Sequence, residues 1–305
     1  MKKYNIFLSI IIVYIIVNMI LFPTLYISIT LDGITAWAFN VLPSILPFIF
    51  FTKILSSTGT IERFSLLFKK PSKILFNTNS ISSYAFLMSI VSGYPVGAKI
   101  TSDLYLNGKI TRSDAFKMTS FCSTSGPMFI IGAVGTIMLK NALFGYIIFL
   151  SHIIGALLNG ILYRNIKVKE LALETSQLKN QSQDLSSTVI DTSLSVISIG
   201  VIITIFFVVI TSLSPIFNFF SPKISAVLEG IIEITKGCIS TSQSYNNIGK
   251  IIACTFIISF GGISTILQSL TMLQKLQMPI SLFISQKFTH ACFSTIIASI
   301  FCLFI

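Results

Sequence analysis

Hydrophobic positions in this chain do not alternate, nor do they recur as a narrow stripe; they run together. Residues 6–29, 34–55, 142–163, 189–213, 251–273 and 280–305 are each apolar over about the 20 residues that an α-helix needs to cross a bilayer. Two shorter apolar stretches, 81–91 and 121–139, carry or adjoin clusters of Gly, Pro and hydroxyl residues. This pattern predicts an all-α polytopic membrane protein with about 7–8 spanning helices plus re-entrant or broken helices.

Basic residues occupy the gaps. Lys2 and Lys3 precede the first run, Arg63, Lys69, Lys70 and Lys73 fall in 62–73, and Lys167, Lys169 and Lys179 lie in the polar stretch 164–187. The positive-inside rule places these segments in the cytoplasm. The first run is longer than the core of a signal peptide and lacks an Ala-x-Ala-like cleavage site, so an uncleaved span with a cytoplasmic N-terminus is expected. The chain then divides into a first transmembrane half, 1–165, a polar cytoplasmic linker, 166–188, and a second transmembrane half, 189–305.

The sharpest local signal is V-S-G-Y-P-V-G-A-K-I at 91–100. Gly93, Pro95 and Gly97 free backbone groups from helical pairing, and hydrocarbon offers such groups no partner. A break of this kind persists at membrane depth where protein covers it or where it lines a wet cavity; a surface loop between helices is the plainer alternative. Residues 81–106 are expected to form a re-entrant hairpin, because 81–91 is too short to cross and Lys99, Lys109, Arg112 and Lys117 follow at once. In S-T-S-G-P, Ser123, Ser125, Gly126 and Pro127 precede an apolar helix whose N-terminus is either an ordinary cap or an anion site. Gly132 and Gly135 offer a small-residue stripe for close helix packing.

The second half partly echoes the first. Gly261 and Gly262 interrupt the run 251–273 beside Ser264 and Gln268, giving a second broken helix at 259–268. The segment 224–237 is expected to be one helix with Glu229 and Glu233 on one face and Lys236 a turn beyond. Acidic side chains in so apolar a setting face a cavity or a partner, unless Glu233 and Lys236 form a surface pair. Lys287 and His290 begin the last run, with a snorkelling lysine as the plain account of Lys287. A glycine-interrupted helix in each half is the arrangement expected of a transporter built from inverted repeats, with the substrate where the breaks meet.

Composition agrees with this class: 53% of the 305 residues are hydrophobic, 10% are charged, and the mean hydropathy is +0.87. A net charge of +11 invites a nucleic-acid reading, but the basic residues are spread between apolar runs and gather on no single face. Cys122, Cys238, Cys254, Cys292 and Cys302 show no C-x-x-C spacing, so neither a disulfide framework nor a metal site is expected, and no cofactor is implied. An intramembrane enzyme would need Ser92 or Ser125 beside His152, His290 or Lys99; with two histidines and no metal motif, the chain is not expected to be an enzyme.

Four blocks carry a resemblance: S-G-Y-P-V-G-A-K-I at 92–100, S-G-P-M-F-I-I-G-A-V-G at 125–135, L-E-G-I-I-E-I-T-K-G at 228–237 and S-F-G-G-I-S-T-I-L-Q at 259–268. In these the chain resembles the YlbJ-type sporulation integral membrane proteins, which carry the nucleoside-recognition gate domain shared with concentrative nucleoside transporters and spore maturation proteins. The resemblance implies a mother-cell role in endospore formation, in the bacterial cytoplasmic (mother-cell or outer forespore) membrane, moving a small anion for which dipicolinic acid is the implied cargo.

Joined to the residues, the resemblance implies a substrate site at Ser92, Gly93, Tyr94, Pro95, Gly97, Lys99, Ser123, Ser125, Gly126, Pro127, Gly261, Gly262, Ser264 and Gln268. Coupling or gating falls to Glu229, Glu233, Lys236, Lys287 and His290, with a proton or sodium as coupling ion. The lipid bilayer and a homo-oligomer are the other expected partners. A nucleoside or other small-metabolite carrier is the nearest alternative, and a non-transport assembly factor for the spore envelope is the second.

Overall fold

The computed structural model describes residues 2–169 and 185–304; most of the polar linker, including Lys179, lies outside them. The described residues are helical almost throughout and include no strand. The first helix, α1 (Lys2–Leu21), stops at Phe22, and Pro23 opens α2 (Pro23–Thr35) at a position where a helix has no use for the missing N–H. A π-helical segment, Ala36–Val41, joins α2 to α3 (Leu42–Ser57), so one apolar rod of 33 residues runs Pro23–Leu55. The spans expected at 6–29 and 34–55 therefore part at Pro23. Gly33 does not stop the helix but serves its packing: a Cβ there would lie 2.9 Å from Thr204 Cα. The wide π turns fall directly before Pro43, whose ring and absent N–H preclude a regular α-helical bond.

Two short helices, α4 (Thr60–Ser65) and α5 (Lys69–Phe76), lead to α6 (Ser82–Ser92), α7 (Val96–Leu106) and α8 (Arg112–Phe121). A second π-helical segment, Met128–Met138, precedes α9 (Ala142–Leu162). The later part comprises α10 (Leu185–Ser212), α11 (Ser214–Phe217), α12 (Pro222–Ile232), α13 (Ile234–Ser244), α14 (Asn247–Phe260), α15 (Gly262–Met272) and α16 (Ile280–Phe301). Starts are written in local chemistry. Thr111, Asn141 and Asn246 each cap a helix by accepting from a backbone N–H two or three residues on, at 3.0, 3.0 and 2.8 Å.

Among the described residues, five helical stretches are long and apolar enough to cross a membrane: Pro23–Leu55, Ala142–Leu162, Thr188–Ser212, Asn247–Met272 and Ile280–Phe304. Their outer faces expose large apolar side chains such as Leu31, Leu150, Leu194, Ile205 and Ile296, as a lipid-facing surface should. This is an integral, polytopic helical membrane protein.

Two apolar cores stabilise the bundle. One gathers Val41, Ile130, Val134, Ile148, Ile257 and Ile258 from α9, α14 and the π-helical segments. The other gathers Phe76, Phe116, Phe121, Phe283 and neighbours from α5, α8 and α16, with Phe76 and Phe121 stacked at 4.0 Å. The expected small-residue stripe is used: a Cβ on Gly132 would meet Ser44 Cβ at 2.9 Å, and one on Gly135 would meet Gly145 Cα of α9 at 2.5 Å. Four of the five cysteines are buried and all five are free.

Candidate functional site

Four interruptions of helix come together at one place. The first separates α6 from α7 at Gly93 (φ 73°, ψ −169°), a conformation that only glycine adopts freely, followed by a cis Tyr94–Pro95 bond. The second is the non-helical stretch 122–126 between α8 and Pro127. These two touch backbone to backbone, because a Cβ on Gly93 would lie 2.6 Å from Gly126 N. The third falls at Glu233, whose extended backbone (φ −142°, ψ 124°) ends α12 and caps α13. The fourth is Gly261 (φ 91°), a left-handed residue between α14 and α15.

Residues of the first three breaks, with Ser264, Thr265 and Gln268 of α15 just past the fourth, line one cavity of about 100 Å³. Ser92, Tyr94, Ser125, Glu233, Thr235 and Gln268 supply its polar side chains, and α3 and α10 close it with apolar groups such as Ile45, Phe48 and Ile203. Ser264 also lines it; its hydroxyl is buried and has no hydrogen-bond partner among the described residues. Glu233 is 3% exposed and folds over the start of α13, accepting from the Lys236 N–H at 2.8 Å. There the carboxylate meets the positive end of the helix dipole, which offsets part of its desolvation.

A buried polar spine supports the breaks from behind. The Ser125 N–H, freed from helical pairing, donates to His152 Nε2 at 2.9 Å. Because a backbone N–H can only donate, the His152 proton sits on Nδ1, where it meets Ser259 Oγ at 2.8 Å. His290 Nε2 donates to the His152 carbonyl at 3.0 Å, and the two rings lie 4.6 Å apart. Lys287, from the third turn of α16, donates to the Tyr94 hydroxyl and, at 2.8 Å, to the Ser123 carbonyl. Gln286 and Asn159 complete the spine: Gln286 binds Thr119 Oγ1 and the Phe116 carbonyl, each at 2.9 Å, and Asn159 donates to the Ser120 and Gln286 carbonyls at 2.8 and 2.9 Å. Backbone groups that the helices leave open are thus satisfied inside the protein, as hydrocarbon requires.

The residues singled out by sequence separate into three groups. Ser92, Gly93, Tyr94, Ser125, Gly126, Ser264, Gln268 and Glu233 meet at the cavity. Pro95, Pro127 and Gly262 flank the breaks; Gly97 packs against the Cys122 carbonyl, and Gly261 makes room for the Lys287 arm. Ser123 contributes its carbonyl to Lys287, while His290 and Lys287 stand behind the wall.

Three expectations change. Lys99 is exposed on α7 and is not a lining residue, so the cation that reaches the first break is Lys287. Lys287 does not snorkel to a surface but is 2% exposed. Glu229 and Glu233 do not share a helix face, because α12 ends between them: Glu229 accepts from Ser240 Oγ on α13, and the Lys236 ammonium lies 5.4 Å above the Phe207 ring instead of pairing with Glu233. Thr235, Gln286 and Asn159 were not anticipated, whereas Ser259 adjoins the second glycine break. Asn159 is a lone polar residue in an apolar helix, a signal the sequence does contain but without naming a partner.

No protein-family model matches this chain, and no solved structure matches it significantly. Over 138 residues it is 31% identical to the sporulation integral membrane protein YlbJ of Bacillus subtilis (strain 168), an alignment that takes in 45% of this chain and 34% of that protein. The match thus spans about a third of the relative's length.

Proposed function

We propose that this chain is a membrane carrier acting in sporulation, in which a small polar solute binds where four broken helices meet and is passed across by movement of the elements around it. The observation that carries the reading is the meeting of four helix breaks beside one cavity, three of them lining it and α15 lining it just past the fourth. Breaks at membrane depth occur where protein covers them or where they line a wet cavity, and broken helices that meet between spanning helices are the arrangement of carrier sites. The similarity to a sporulation integral membrane protein supports the process, and dipicolinic acid is the cargo we favour from the family resemblance.

A neutral solute of nucleoside type is the second reading, and a specific observation favours it: the lining includes the Glu233 carboxylate but no Lys, Arg or His. A dianion entering that space would need a cation from behind the wall.

The test is uptake by proteoliposomes holding the purified full chain, with labelled dipicolinate and labelled uridine measured separately. Saturable uptake of dipicolinate, undiminished by excess uridine, supports the first reading. Uptake of uridine alone supports the second. Uptake of neither, by monodisperse protein under several ion gradients, would overturn the carrier reading.

A further inference from the structure

We infer that Lys287 is the residue with which this protein reads the charge of its solute, and that Tyr94 is the movable cover between that lysine and the cavity. The inference rests on the carrier reading and adds the residue that decides between an anionic and a neutral cargo.

Lys287 is a buried basic side chain without a counter-ion. It is 2% exposed, and no acidic side chain of the described residues lies within ion-pair distance of it. Charging a lysine there without a partner costs several kcal/mol, so an anion that reaches it from the cavity supplies the counter-ion the wall lacks. An ammonium has three N–H donors. Two are engaged, by the Tyr94 hydroxyl and the Ser123 carbonyl, and the third meets no acceptor among the described residues.

The surroundings connect this ammonium to the cavity. Lys287 lies 4.6 Å from the centre of the Tyr94 ring, and Tyr94 is itself a lining residue. Gly261 lets the arm through: a Cβ there would stand 3.2 Å from Lys287 Cε and 3.4 Å from the Tyr94 hydroxyl. Tyr94 is lightly held otherwise, its hydroxyl reaching the Ile258 carbonyl at 3.4 Å. The Ser123 hydroxyl is buried with no partner among the described residues and lies on the residue whose carbonyl holds Lys287. A carboxylate arriving from the cavity can replace the Tyr94 hydroxyl as acceptor, so the exchange trades a neutral hydrogen bond for a charge-assisted one. Glu233, also a lining residue, disfavours a second negative group.

The experiment compares pyridine-2,6-dicarboxylate with its uncharged analogue pyridine-2,6-dicarboxamide as competitors for uptake of labelled dipicolinate, and as stabilisers of the purified protein on heating. Wild type is measured beside Lys287→Gln, which keeps donors without charge, and Lys287→Arg, which keeps charge. The expected result is that the dicarboxylate outcompetes the dicarboxamide by at least about tenfold in wild type, as a charge-assisted bond should give. Lys287→Gln loses that preference and Lys287→Arg retains most of it.

A variant that transports nothing is read through heat stabilisation, in which Lys287→Gln should respond to the dicarboxamide and no longer preferentially to the dicarboxylate. Unchanged preference in Lys287→Gln would overturn the assignment while leaving the carrier reading intact. Uptake of uridine but not dipicolinate by wild type also overturns it. Uptake of neither defeats the carrier reading and this inference together.

Discussion

Replacing His152 by Ala probes the link between the buried spine and the broken helices. The imidazole is fully buried and accepts the Ser125 N–H at 2.9 Å. In the alanine variant that N–H has no acceptor and cannot turn back into a helix, because 122–126 is held against Gly93 on one side. An orphaned buried donor costs about 1–3 kcal/mol. The Ser259 hydroxyl, which also loses its partner, can rotate to a carbonyl of its own helix and adds little. The space left by the ring, next to His290 at 4.6 Å between centroids, adds about 2 kcal/mol by analogy with other large-to-small core changes.

The expected loss is therefore about 3–5 kcal/mol, a fall in thermal midpoint of about 5–8 °C for a chain of this size. The assay is thermal unfolding of the protein in detergent, followed by fluorescence-detected size exclusion, with His152→Gln as a variant that can still present an acceptor. A midpoint within about 2 °C of wild type for His152→Ala would refute the claim that this side chain holds the second break.

Other consequences follow from the same geometry. Gly93→Ala places a methyl 2.6 Å from Gly126 N at a left-handed φ of 73°, and should lower the midpoint by an amount comparable to His152→Ala, whereas Gly108→Ala, with open space around its Cβ, should cost only the left-handed strain of about 1 kcal/mol. Asn159→Leu leaves the Ser120 and Gln286 carbonyls without their donor and should destabilise by about 2–4 kcal/mol in the same assay, with the solute preference of any remaining uptake unaltered. Glu233→Gln keeps the size of the α13 cap but removes the carboxylate from the cavity; it is expected to change stability by no more than about 1 kcal/mol and to change the dependence of uptake on the proton or sodium gradient, measured by varying each gradient separately. An unchanged gradient dependence would remove Glu233 from the coupling step.

The breaks at Gly93 and Gly261 were legible because glycine and proline announce lost helical pairing wherever they fall. The break at Glu233 was not: I-I-E-I-T-K holds neither residue, and its spacing from Glu229 reads as one helical face. What stops α12 is tertiary. Gly230 and Gly237 bring α12 and α13 together so closely that a Cβ on Gly237 would meet the Gly230 backbone N at 2.5 Å, and the chain must reverse between them. Sequence reasoning chose Lys99 for the site because it adjoins the first break, yet rotation about α7 turns it outward. It placed Lys287 with the gating residues and not at the first break, because apolar periodicity cannot tell a lysine at a helix mouth from one that crosses to a break 193 residues earlier in the chain. Lone polar residues in apolar helices were visible one by one; the partnership of Asn159, Gln286 and Thr119 exists only once α8, α9 and α16 are packed.

The central claim is that the cavity at the four breaks is wet and is occupied by the solute. The direct measurement is labelling of Gln268→Cys, a lining position, in a chain whose five native cysteines have been replaced, using a membrane-impermeant thiol reagent on oriented vesicles with and without dipicolinate or uridine. The account predicts labelling from at least one side, slowed in a saturable way by the transported solute and unaffected by the other. A cysteine there that stays unlabelled from both sides, or that labels at the same rate with and without either solute, would contradict it.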